Sequence, residues 1–152
     1  MGGVTSGPTK VKVCGITQLD DARLAADLGA WAIGLIFAPS KRQVDVAMAE
    51  RIGRELHRRV EVAGVFVNEE LDRLVELADV AHLTLLQLHG DEGPSFCTAV
   101  AQRTGAKVIK AVRVGHAADL QDLERFHTDL HLLDTAAAGQ YGGTGHTWDW
   151  AL

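Results

Sequence analysis

At 152 residues, with 47% hydrophobic and 23% charged residues, the chain has the composition of one folded domain, not of a disordered, collagen-like or fibrous protein. Fifteen basic residues against 20 acidic ones leave a net charge of −5 and no basic stripe, which argues against a nucleic-acid partner. The longest nearly unbroken apolar stretch, 30–38, is about half of the ~20 residues a membrane span needs, and no secretory signal is expected at the start. Residues 1–9 are rich in Gly, Ser, Thr and Pro and read as a flexible leader, with one domain over 10–152. Two cysteines, Cys14 and Cys97, are too few for a disulfide framework, so a reducing cytoplasm is the expected compartment.

From Lys10 onward, short β-branched and apolar runs alternate with segments of helical spacing. A strand is predicted at 11–14, then a helix carrying Leu24, Ala25 and Leu28, opened at capping-box-like spacing by Thr17 and Asp20 and stopped at Gly29. A second strand at 31–37 leads to a helix with Val46, Ala49, Ile52 and Leu56 inward. The third strand, 61–67, is followed by a helix with Leu71, Leu74, Val75 and Ala78, begun near Asn68, Glu69 and Glu70. The fourth, 84–89, leads to Phe96, Ala99 and Val100 and a stop at Gly105; the fifth, 106–112, leads to Leu120 and Leu123. A sixth strand at 130–134 follows, and a sixth helix is expected to begin near 148–152.

Near-continuous apolar strands alternating with helices imply a parallel sheet with right-handed crossovers. Two architectures fit: an open doubly wound sheet and a closed (β/α)8 barrel. The barrel needs eight units and roughly 200 residues, about two units more than are present. Counting leaves both open.

In either fold, chemistry gathers beyond the carboxyl ends of the strands. The residues there are Cys14-Gly15-Ile16-Thr17, Pro39-Ser40-Lys41-Arg42, Asn68, His89-Gly90-Asp91-Glu92, Arg113, and Asp134 followed by Tyr141-Gly142-Gly143-Thr144-Gly145. A thiol, a guanidinium, an imidazole and a carboxylate on one rim point to a reactive site.

Lys12-Val13-Cys14-Gly15-Ile16-Thr17 resembles the opening signature of the phosphoribosylanthranilate isomerase family. Gly34-Leu35-Ile36-Phe37-Ala38-Pro39-Ser40-Lys41-Arg42, Gly64-Val65-Phe66-Val67-Asn68 and Leu86-Gln87-Leu88-His89-Gly90-Asp91-Glu92 are similar to its next three motifs. Asp134 with Gly142-Gly143-Thr144-Gly145 and Trp148-Asp149-Trp150 resembles its sixth-strand loop, so five motifs follow in order. The resemblance implies an α/β fold of the TIM (β/α)8-barrel family with about six βα units present. The family's last two units, whose loops hold the substrate phosphate, are not matched, so little turnover is expected of this chain alone.

The resemblance also implies a reaction, the Amadori rearrangement of N-(5-phosphoribosyl)anthranilate in tryptophan biosynthesis. It is an internal redox isomerisation and calls for no cofactor and no metal. The implied roles are Asp134 as general acid, Cys14 as general base and Arg42 as grip for the anthranilate carboxylate through two parallel hydrogen bonds. Asp134 must then hold a proton far above the ~3.9 of a free aspartate, and Cys14 must lose one below ~8.5. His89 either positions substrate or fixes the fourth loop. Gly142, Gly143, Thr144 and Gly145 lack Walker spacing; they let backbone approach the substrate closely or form a plain turn.

Two other functions compete. A non-catalytic partial barrel would expose its first and sixth strands as edges and associate with another copy or a complementary piece. Another phosphosugar barrel, such as indole-glycerol-phosphate synthase, would want a catalytic lysine within a strand, for which Lys110 is the candidate. Cys97 reads as a small buried hydrophobe, and Arg51, Arg54, Arg58 and Arg59 as a solvated helix face. His127 and His131 lack a second pair at ligand spacing, which argues against zinc.

Overall fold

A computed structural model describes residues 7–135. Six parallel strands form one sheet in sequential order: β1 Lys12–Cys14, β2 Ala32–Ile36, β3 Glu61–Phe66, β4 Leu85–Leu88, β5 Lys107–Val114 and β6 Leu130–Thr135. Between them run α1 Leu19–Asp27, α2 Val46–Leu56, α3 Leu71–Val80, α4 Pro94–Thr104 and α5 Ala117–Gln121, the last continued by a 3-10 turn at Asp122–Arg125. Sequential order decides between the two architectures. A doubly wound sheet reverses its strand order at a switch point, whereas a barrel adds each strand beside the last.

The main core lies between the sheet and its helices. Ile33, Leu35, Val62, Phe66, Leu86, Leu88 and Val108 project outward from the strands onto Ala22, Ala49, Ile52, Leu56, Leu74 and Val100 of the helices. Phe37 and Phe66 stack with centroids 5.1 Å apart. The opposite, concave face carries a small cluster of Ala32, Ala63, Leu85 and Ile109 at its base, and polar residues above it. That second buried face is why the strands read as continuous apolar runs instead of strict alternation.

Several sequence expectations need correction. The cap of α1 is Gln18, not Thr17, and that of α3 is Glu70; neither makes a side-chain capping bond. Asn68 lies outside α3 at φ 52, held by the fourth loop. On α1 the buried residues are Leu19, Ala22 and Ala25, while Leu24 and Leu28 are exposed. Small side chains bring this helix close to β2, and the leucines fall on its flank. Gly29 (φ 85) and Gly105 (φ 68) do end their helices in the left-handed region. Leu120 and Leu123 are only half-buried, which suits a short α5.

Residues 7–9 are exposed and without regular structure. Arg51, Arg54, Arg58 and Arg59 are exposed, with Arg54 and Arg59 paired to Glu50 and Asp27. Val11 just before β1, Val13 within it, and Leu130 and Leu133 on β6 are exposed apolar residues at the two edges of the described sheet. Gly142, Gly143, Thr144, Gly145, Trp148, Asp149 and Trp150, and with them the expected sixth helix, lie outside the described residues.

Candidate active site

The concave face opens at the carboxyl ends of the strands into a cavity of about 760 Å³. Lys12 and Cys14 from β1, Ser40, Lys41 and Arg42 from the loop after β2, Gln87 and His89 from the end of β4, and Asp134 from β6 line it. The thiol and the carboxyl, 120 positions apart in sequence, thus face one space. Parallel strands bring this about, because every strand delivers its last residues to the same rim.

The loop after β2 folds back over the rim. Gln43 bridges to Ile36 and donates its side-chain amide to Phe37 O at 2.9 Å, which turns Arg42 toward β1. Arg42 Nη1 donates to Cys14 O at 2.8 Å, and the guanidinium rests on Gly15, where a Cβ would collide with it. Nε and Nη2 of Arg42 make no hydrogen bond among the described residues, so two donors remain for a planar anion.

Cys14 is half-buried and reduced. The neighbouring strand presents Gly34 opposite it, where an added Cβ would lie 2.6 Å from Cys14 Sγ and 3.1 Å from Lys12 Nζ. Sulfur and ammonium nitrogen are therefore no more than about 6 Å apart. Cys97 differs: it lies on the buried face of α4, and that burial pushes its thiol up, away from the reactive form.

Across the cavity, His89 Nε2 lies 3.1 Å from Asp134 Oδ2, and His89 Nδ1 lies 2.9 Å from Gln87 Nε2. The backbone N–H of Thr135 donates to Asp134 Oδ1 at 2.8 Å. Of the two roles left open for His89, its contacts join it to the carboxyl instead of the fourth loop.

The fourth loop has its own fastener. Glu92 accepts from Asn68 N at 2.8 Å, Gly90 N at 2.9 Å and Lys110 Nζ at 2.9 Å, and Lys110 donates to Gly90 O at 2.7 Å. Lys110 turns outward from the sheet, its ammonium 5.8 Å from the Phe126 ring, and does not line the cavity. It is a buried ion-pair residue, which removes the ground for the indole-glycerol-phosphate synthase alternative.

Sequence reasoning passed over two residues of the cavity. Lys12 lies in β1, so Lys110 is not the lone lysine in a strand with a claim to chemistry; Gln87 is the other. Both are polar residues within strands that read as apolar runs, and that conflict was the available signal.

The family model described as N-(5'phosphoribosyl)anthranilate (PRA) isomerase matches residues 11–152. An N-(5'-phosphoribosyl)anthranilate isomerase of Syntrophomonas wolfei is 43% identical over 144 residues, covering 95% of this chain and 69% of that protein. The crystal structure of phosphoribosyl anthranilate isomerase from Thermotoga maritima superposes with a TM-score of 0.83 at 40% identity, over 95% of this chain and 69% of that one. A solved complex of such an isomerase with reduced 1-(o-carboxyphenylamino)-1-deoxyribulose 5-phosphate gives a TM-score of 0.76 at 40% identity, over 84% of this chain and 66% of that one. With both its sequence and its sheet matched over nearly all its length, the chain belongs to the N-(5'-phosphoribosyl)anthranilate isomerase family.

Proposed function

We propose that the cavity binds N-(5-phosphoribosyl)anthranilate and converts it to 1-(2-carboxyphenylamino)-1-deoxyribulose 5-phosphate, a step of tryptophan biosynthesis carried out in the cytoplasm. The observation that carries this reading is the shared cavity of Cys14 and Asp134, one group for each proton transfer. Asp134 protonates the furanose ring oxygen, the C1′–O bond breaks, and the nitrogen lone pair forms a Schiff base. Cys14 thiolate then takes the C2′ proton, and the electrons pass through the C=N bond to give an enolamine. Tautomerisation to the ketone completes an isomerisation with no net gain or loss of electrons. Arg42 holds the anthranilate carboxylate with its two remaining donors.

Lys12 lines the same cavity, with its ammonium within about 6 Å of the thiol. Lys12→Met is expected to slow alkylation of Cys14 by the anion iodoacetate more than by neutral iodoacetamide, because a nearby cation attracts an anionic reagent, and Cys97 is too buried to compete. An unchanged ratio of the two rates would deny Lys12 a part in drawing anions to the thiol. The function itself is tested by single-turnover conversion of N-(5-phosphoribosyl)anthranilate with the chain in excess. Slow formation of the ketose product is the expected result, and substrate left wholly unreacted after prolonged incubation would count against it.

A further inference from the structure

Gln87 belongs to β4, is only 2% exposed, and lines the cavity. Its Oε1 is buried and has no hydrogen-bond partner among the described residues, although its Nε2 approaches His89 Nδ1 at 2.9 Å. An amide nitrogen donates and cannot accept. Nδ1 of His89 is then the acceptor, the ring proton sits on Nε2, and His89 donates to Asp134 Oδ2 at 3.1 Å. That arrangement holds Asp134 as a carboxylate, the form an acid has after giving its proton away.

The opposite state needs the reverse polarity. For the Asp134 carboxyl to carry a proton and donate it to Nε2, the ring proton must be on Nδ1, facing an oxygen. A half-turn of the Gln87 amide supplies that oxygen. The turn breaks no other hydrogen bond, because the atom exchanged, Oε1, has no partner among the described residues.

We propose that Gln87 is a positioning residue that selects the tautomer of His89 and thereby whether Asp134 is held as a carboxylate or as a proton donor. The inference rests on the reading of Asp134 as the general acid. Passing to the donor state, the amide rotates, His89 loses its Nε2 proton and gains one on Nδ1, and Asp134 gains one. The net change is uptake of one proton from the open cavity; delivery of that proton to the sugar ring oxygen restores the carboxylate. The charged and titratable groups around this relay are Lys12 and Cys14 on β1, Lys41 and Arg42 after β2, and Arg113, the register partner of Asp134 on β5, itself paired with Asp91.

The test is nitrogen-15 NMR of the His89 ring in the full chain across pH, a readout that does not depend on turnover. The neutral ring is expected to populate both tautomers, Nε2–H and Nδ1–H. Gln87→Met should lower the Nδ1–H population by about tenfold, the effect of one lost hydrogen bond, and Gln87→Glu, which restores an acceptor, should bring it back. In the single-turnover assay, Gln87→Met should slow the chemical step by a similar factor and leave substrate affinity unchanged. A wild-type ring that stays Nε2–H wherever it is neutral, or a Gln87→Met chain with the wild-type tautomer series, would overturn the proposal. No turnover by the unchanged chain would count against the isomerase reading alone, because the tautomer series is read without substrate.

Discussion

Replacing Asp134 by Asn is expected to slow ring opening of N-(5-phosphoribosyl)anthranilate by about 10²–10⁴-fold, the usual contribution of one positioned general acid. The amide keeps the size of the carboxyl; its oxygen can still accept from Thr135 N–H, and its NH2, in the place of Oδ2, donates to His89 Nε2, so the cavity keeps its shape. It has no acidic proton to give. Single-turnover rates should fall, while calorimetric affinity for the reduced product analogue should stay within a few-fold of the unchanged chain. Equal loss of rate and affinity would assign Asp134 a scaffolding role.

The second large effect is on stability. Lys110 and Glu92 form an ion pair with side chains 4% and 3% exposed, and Glu92 fills its remaining valences with two backbone N–H groups from two loops. Glu92→Ala leaves the ammonium without its counter-charge and both N–H groups without their acceptor. Removing one partner of a buried pair costs about 3–5 kcal/mol, far more than the ~0–1 kcal/mol of exposed pairs such as Arg54–Glu50. Urea denaturation should show that loss, and the double variant Glu92→Ala with Lys110→Met should recover part of it. A shift below about 1 kcal/mol would mean that water or another group replaces the carboxylate.

Much of this fold was legible in the order of apolar runs. Strands such as Leu85–Leu88, buried on both faces, announce a parallel sheet whatever the local propensity. Counting units could not separate barrel from open sheet, because the distinction lies in strand order, which only pairing reveals. Helix starts were misjudged at Thr17 and Asn68 for a specific reason. The caps there, Gln18 and Glu70, make no side-chain capping bonds, and Asn68 is engaged by Glu92 and Asp91 instead. The face of α1 was misjudged because packing selected alanines over leucines.

Within the site, Cys14, Arg42, His89 and Asp134 stand at or beyond strand ends and were singled out through the family resemblance, and the structure brings all four to one cavity. Lys12 and Gln87 were passed over because each sits one pleat deeper, inside a strand that reads as core. A polar side chain there is costly unless something pairs with it, and both turn toward the cavity. Lys110 is the instructive contrast: it is also polar and in a strand, but its pleat sends it outward to Glu92.

The most direct measurement is the single-turnover rate of the Cys14→Ala chain on N-(5-phosphoribosyl)anthranilate, set beside that of the unchanged chain. Without a base at C2′ the rate should drop about 10²-fold or more, with the product-analogue affinity retained. A Cys14→Ala chain that converts substrate at the wild-type rate would contradict the assignment of the two proton transfers to this cavity.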